Sequence, residues 1–341
     1  MKLTSNYNLK KPDGTDVVNV QDFNDNSDKI DLELKKVDSS LKDMKNNLSQ
    51  ISNPNLLING DFQVWQRGEG FEYIGSVTEK KNIYTTDRWR IVQSHDIPKC
   101  NINKYKDANG VYFGLAKLYK PKDVGMSIHQ KLEPFYLICG KYTLSFEYAN
   151  TGNIEFNARV YSFKRAANII TSERCIPNSS GTWSKCEVTF NIDSIDIQDI
   201  IEIAFDLMGD YNNNGSFYLR RVKLELGDKS TPFVPRSYGE ELALCQRYFE
   251  RVFFSTRLIT DMSEISQGIE MNVPYKVEKR IIPTMKIDNI ISEVGNPSIN
   301  TYTDNAKYHF CAFLQKNIEQ NSKLPKGCRI TWYGNADAEI Y

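Results

Sequence analysis

The chain has 341 residues, enough for two or three domains, and 40% of them are apolar, so a sizeable core can be buried. Its 43 Lys and Arg balance its 43 Asp and Glu, and a net charge of zero gives no electrostatic reason to expect nucleic acid or an anionic membrane as partner. Aromatic residues make up 12%, with 19 Tyr and 17 Phe, a composition that leans toward β structure.

The N-terminus MKLTSNYNLKKPDG has no apolar signal-peptide core. No stretch approaches the roughly 18 apolar residues of a membrane-spanning helix, so no membrane insertion is expected. Residues 1–20 are polar, carry the turn signal Lys-Lys-Pro-Asp-Gly and are too short to fold alone. They are expected to be an arm that orders on a partner.

Residues 21–53 carry a heptad seam. Leu34, Leu41 and Leu48 stand at a, and Ile30, Val37, Met44 and Ile51 at d, between mostly Asp, Lys, Ser and Asn. A helix packed on a globular core shows a wider apolar stripe. The narrow seam points to a coiled coil, and Leu at a with β-branched residues at d favours three or four strands over two. Pro54 ends the helix near Ser52-Asn53.

From residue 54 to about 236 the period changes to two. Tyr142, Leu144, Phe146 and Tyr148 alternate with polar neighbours. So do Cys186, Val188 and Phe190, and then Ile201, Ile203, Phe205 and Leu207. Turns are expected at Asn178–Gly181 and Asn212–Gly215. The pattern predicts a β-sandwich. In FYLRRVKLEL (217–226) the phase slips at Arg220-Arg221, which predicts a bulge.

Pro232 and Pro235 mark a linker, and Ser237 with Glu240 forms a capping box for a short helix within 237–250. Residues 251–341 read as a second β domain, with strands around 251–258, 267–275, 308–314 and 328–333. The whole is therefore mainly β: arm, coiled-coil helix, central sandwich and C-terminal β-sandwich head.

The seven cysteines (100, 139, 175, 186, 245, 311 and 328) include no CxxC. Free thiols in a protein assembled in a reducing cytoplasm are expected, with a Cys175–Cys186 or Cys311–Cys328 disulfide as the alternative.

Three stretches carry a resemblance: LKKPDGTDVVNVQDFNDNSDKID (9–31), NLLINGDFQVWQRG (55–68) with YTTDRW (84–89), and LELGDKSTPFVPRSYGEELALCQRYF (224–249). Together they resemble bacteriophage tail fibres or receptor-binding proteins, and their relatives in prophage-derived contractile bacteriocins of clostridial-type Gram-positive hosts. The central domain also looks like the jelly-roll sandwich of carbohydrate-binding modules. The resemblance implies a homotrimer in a virion or bacteriocin tail, assembled in the host cytoplasm. Its arm would dock on a tail baseplate protein and a distal domain would bind a host surface glycan or surface-layer protein. Many such modules hold calcium with an acidic pair in the last strand; here Arg220 and Arg221 stand there, so no metal is expected.

No HExxH, GxSxG, Walker A or dinucleotide fingerprint occurs, and His95, His129 and His309 are far apart. No catalytic residue and no cofactor is expected. Two sets of residues are glycan candidates. In the head, Tyr302, Tyr308, Trp332 and Tyr333 stand near Asn and Asp, as aromatic anchors with a few polar groups do. In the sandwich, Trp65, Arg67, Asp87 and Trp89 read either as a sugar site or as framework, and the fibre resemblance favours framework. The distal loops, at the end away from the arm, are the expected place of recognition. A polysaccharide depolymerase, or a spacer carrying another adhesin, are the alternatives.

Overall fold

The computed structural model describes residues 1–17, 19–48, 51–74, 82–93, 99–120, 125–134, 137–151, 154–173, 175, 182–208, 211–259, 261, 268–293, 297–302, 306–316 and 324–340. The expected turn at 178–181 and His95 lie outside them. The chain forms two compact units, Met1–Asn53 and Pro54–Tyr341.

In the first unit a hairpin, β1 (Lys2–Leu3) and β2 (Lys10–Lys11), precedes the helix α1 (Val20–Leu48). The arm expected to need a partner is tied to its own helix. The Asn26 side chain accepts from the Lys10 amide at 2.7 Å and donates to the Lys10 carbonyl at 2.8 Å, as a neighbouring strand does. Lys10 Nζ meets Asp22 at 2.6 Å and also pairs with Asp25. The seam residues Ile30, Leu34, Val37, Leu41 and Met44 are 45–59% exposed, and Ile51 is exposed as well. The Leu48 side chain lies outside the described residues. Val20 and Phe23, also exposed, continue the seam by one heptad.

The second unit opens with a sandwich of two antiparallel six-stranded sheets. The first runs β11 (Ala167–Thr171), β10 (Glu155–Ser162), β13 (Ile201–Met208), β8 (Met126–Leu132), β5 (Arg90–Gln93), β4 (Asn82–Tyr84). The second runs β12 (Ser184–Ile192), β9 (Gly140–Thr151), β14 (Tyr211–Leu226), β7 (Gly110–Lys120), β6 (Lys99–Asp107), β3 (Gly70–Ile74). The period-two residues of β9 and β13, and those of β14 from Phe217 to Leu224, are buried in the core, because only one face of each sheet meets the other; Leu226, at the end of β14, is exposed. Phe146 meets Phe205 edge-on at 4.9 Å, and Phe156 meets Phe217 likewise at 4.9 Å.

The predicted bulge is present. The β14–β9 register shifts between Arg220 and Lys223, and Arg221 has φ 52°. The segment 55–60 runs along this bulge: Leu56 donates to the Leu224 carbonyl at 2.9 Å and Val222 to the Gly60 carbonyl at 2.7 Å. A Cβ on Gly60 would lie 2.1 Å from the Val222 carbonyl oxygen, so no other residue fits. The turn expected at Asn212–Gly215 is instead part of β14, with its register against β7 shifted there.

The 227–236 segment folds back on the sheet rather than spanning free. Lys223 Nζ donates to Thr231 Oγ1 at 2.6 Å and to the Pro232 carbonyl at 3.0 Å, and Glu225 accepts from the Thr231 amide at 2.8 Å. Helix α2 (Tyr238–Gln246) follows, with the Ser237–Glu240 capping box formed. Two three-stranded sheets complete the unit. One holds β15 (Phe249–Arg257), β20 (Arg329–Asp337) and β17 (Thr284–Ser292). The other holds β16 (Gly268–Pro274), β19 (His309–Lys316) and β18 (Pro297–Tyr302). They enclose a second apolar core around Trp332, Phe310 and Ile330.

Candidate functional site

Of the sandwich candidates, both tryptophans are core. Trp89 is fully buried against Phe62 and Phe205, with ring centroids 5.1 and 6.1 Å away. Trp65 packs on Phe113 at 6.1 Å. Their indole nitrogens donate to the carbonyls of Asn59 (2.9 Å) and Phe62 (2.6 Å). Asn59, at φ 56°, organises the turn: its side-chain Nδ2 donates to Val64 O, Thr86 Oγ1 and Asp87 O, each at 2.9 Å. A ring enclosed in this way has no face for a sugar, so the sugar-site reading of these residues is corrected.

Asp87 and Arg67 belong to a clasp between the sandwich and the C-terminal sheets. Asp87 is fully buried and accepts from the Gln66 amide at 2.7 Å and Arg67 Nη1 at 3.3 Å. Burial pushes its carboxyl up to about 6, against the pull of Arg67. Arg67 stacks 3.6 Å over the Phe249 ring and reaches Glu339 at 3.3 Å. Arg88 also pairs with Glu339, and Tyr84 OH donates to the Ile340 carbonyl at 2.7 Å. The boundary expected between sandwich and head is thus crossed by buried polar bonds as well as by the chain.

Of the head candidates, Trp332 is fully buried between Phe254 and Phe310 and is corrected to core. Tyr333, the next residue, points to the opposite face of β20, as strand geometry requires. It lies 5.2 Å from Phe253, which is 58% exposed. Tyr308 is exposed on the approach to β19. The Tyr302 side chain lies outside the described residues. The four do not form one cluster, since Trp332 and Tyr333 face opposite ways.

An aromatic cluster that the sequence reading passed over lies on the outer face of the second sandwich sheet. Tyr105 and Tyr112 pair across β6 and β7 and stack at 5.4 Å. Tyr218 of β14 meets both edge-on, at 5.6 and 5.7 Å. Trp183, just before β12, meets Tyr112 edge-on at 5.2 Å. All four are half-buried. Gly114 makes room for them: a Cβ there would lie 2.6 Å from the Tyr105 ring and 2.7 Å from that of Tyr218.

Polar groups rim the rings. Arg220 lies 3.9 Å over Trp183 and binds Glu147 at 2.7 Å and Asp107 at 3.1 Å. Arg221 adds a second bond to Glu147 at 2.9 Å. Burial would raise Glu147, but these two guanidiniums hold it below its ordinary value. Burial and the Asp107 charge raise the Tyr112 hydroxyl above its ordinary value. The signal for this site was a phase: Tyr112 and Tyr218 are aromatic at positions that alternate with core Phe113, Phe217 and Leu219.

Among the described residues no group of three His, Cys, Asp or Glu is placed to hold a metal ion. No described helix is long and apolar enough to cross a membrane.

No family model matches this chain, and no curated protein matches it. Solved structures similar to it include carbohydrate-binding modules and a phage tailspike domain. TmCBM61 in complex with β-1,4-galactotriose is 12% identical with a TM-score of 0.30, over 51% of this chain and 99% of the other. The enzymatically active domain of tailspike protein 4 of bacteriophage CBA120 is 14% identical with a TM-score of 0.31, over 51% of this chain and 21% of the other. A family 11 module from Clostridium thermocellum, in complex with a β-1,3-1,4-mixed-linked tetrasaccharide, is 14% identical with a TM-score of 0.30, over 48% and 99%. Likeness at this level assigns no function.

Proposed function

We propose that this chain is a non-enzymatic attachment fibre of a phage-type or bacteriocin tail that binds a host-surface glycan through the outer face of its sandwich. The carrying observation is the cluster of Tyr105, Tyr112, Tyr218 and Trp183 on a sheet face, held open by Gly114 and rimmed by Arg220, Glu147 and Asp107. Flat rings stack on the C–H faces of pyranoses, while fixed donors and acceptors read hydroxyls. Homotrimeric assembly through α1 accounts for the exposed seam, and three weak linked sites act together by avidity. The 1–20 arm docks on a baseplate protein. The reading needs no cofactor.

A depolymerase of the usual kind needs a carboxylic acid with a raised pKa. Glu147 is shifted the other way, and Asp107 is tied to the same Arg220. A second reading keeps recognition in the head, on the Phe253–Tyr333 pair, because Phe253 is exposed on a sheet face.

Purified full-length protein tested on host-wall polysaccharide separates these readings. Loss of binding in Tyr112→Ala and Trp183→Ala, with retention in Tyr333→Ala, supports the sandwich face. The reverse pattern assigns the head, and release of new reducing ends returns the depolymerase reading.

A further inference from the structure

Cys175 and Cys186 stand on different layers of the sandwich. Cys175 bridges to β10: its amide donates to the Phe156 carbonyl at 2.8 Å and its carbonyl accepts from the Phe156 amide at 3.3 Å. Cys186 lies in β12 and pairs with Phe146 of β9. Phe146 and Phe156 pack at 5.9 Å between the layers. Each cysteine is therefore held by the hydrogen bonds of its own sheet. Their sulfurs nevertheless meet at 3.8 Å, with the Cys175 thiol donating to Cys186. A groove of about 480 Å³ opens beside them, lined by Tyr148, Ser172, Glu173 and Lys185 as well as both cysteines.

The donated hydrogen bond lowers Cys186 below the ordinary thiol value, against burial and the Glu187 charge. The same contact raises Cys175. The pair is also asymmetric in access: both sulfurs line the groove, but Cys175 is buried while Cys186 is partly exposed, so Cys186 is the sulfur open to attack on a small disulfide.

We propose that Cys175 and Cys186 are a disulfide-forming site that accepts a small disulfide such as oxidised glutathione and becomes a staple between the two sheets. The Cys186 thiolate attacks one sulfur of the small disulfide. A new S–S bond forms, the old one breaks, and one glutathione leaves as its thiolate. Cys175 then loses its proton to solvent and attacks Cys186 Sγ, which releases the second glutathione. Two protein thiols are oxidised while one small disulfide is reduced to two thiols. The closed loop restrains the unfolded chain and so raises stability.

The test incubates the full chain with oxidised glutathione and maps it by mass spectrometry without reductant. The expected product is a linked Cys175–Cys186 peptide pair that retains no glutathione, with a melting temperature that rises and falls back on reduction. Cys175→Ser is expected to stop at a glutathione adduct on Cys186. Exposed Cys139 reports general reactivity. A lasting glutathione adduct on Cys186 of the unsubstituted chain overturns the proposal. So does modification of Cys139 while both cysteines of the pair stay reduced.

Discussion

The Arg88 guanidinium lies 3.5 Å over the Tyr248 ring and pairs with Glu339, a residue 251 positions further along the chain. Both side chains are almost wholly buried. Arg88 also donates to the Lys131 carbonyl at 2.6 Å, so the ion is hydrogen-bonded on two sides. Breaking such a pair by removing one partner leaves a buried charge and costs about 3–5 kcal/mol. Glu339→Gln is expected to destabilise the protein by about that much. Calorimetry on the variant should show the sandwich and the C-terminal sheets melting together at lower temperature. A variant in which only the C-terminal sheets melt early shows that the clasp does not couple them.

The aromatic face makes a sharper demand on Gly114. Gly114→Val pushes the Tyr105 and Tyr218 rings apart, because the new Cβ meets both. Glycan retention should be lost while the fold persists. Tyr112→Ala removes one ring and is expected to weaken binding by about 1–2 kcal/mol, the range of an aromatic anchor. Titration calorimetry against the same polysaccharide measures both; unchanged affinity in both removes the face from the site.

The helix seam predicts assembly. Leu41→Asp places a carboxylate in the seam of every copy, at a cost of several kcal/mol. Sedimentation velocity should find monomers, with the melt of residues 54–341 unchanged. An intact oligomer shows that the chains are held together elsewhere.

The buried carboxylates give stability two opposite pH dependences. Burial acts to raise Glu202, but His129 at 3.0 Å and Arg90 at 2.8 Å outweigh it and bring it from 4.5 to about 2. A lowered pKa stabilises the folded state above the unfolded value, so this contribution, on the order of 3 kcal/mol, is lost as pH falls from 4.5 toward 2. Asp61 and Asp87 are raised from 3.8 to about 6, mainly by burial. Their contribution is present below about pH 4 and is lost as pH rises through 6. Melting temperature against pH should therefore lose its acid limb in Glu202→Gln and gain between pH 4 and 6 in Asp87→Asn.

Calcium should not matter. Arg220 and Arg221 occupy Glu147 and Asp107, and their charges repel a cation. EDTA is expected to leave the melting temperature unchanged; a drop that calcium restores indicates a site elsewhere in the chain.

The sequence by itself determined the phase of those elements whose apolar residues keep a clear period. The 3–4 spacing from Ile30 to Ile51 marked a helix with one apolar seam, and α1 spans all but its end. Alternation marked the inward residues of β9, β13 and β14, and the slip at Arg220-Arg221 marked a bulge that Gly60 fills. These are local properties, set by 3.6- and two-residue periods and by the φ that each residue tolerates. Strand neighbours are not local. Only the tertiary structure decided that Tyr105, Tyr112, Trp183 and Tyr218, spread over 113 positions, meet on one sheet face. It also decided that Trp332 is enclosed while Tyr333 is not, and that Arg67 bridges Asp87 and Glu339 rather than facing a ligand. β17 and β18 escaped the sequence reading altogether. In β17 five of nine residues are exposed and none is fully buried, so the hydrophobic pattern carries little signal there. Whether a ring is core or platform depends on what the second layer covers, and that is fixed by packing between segments far apart in the chain.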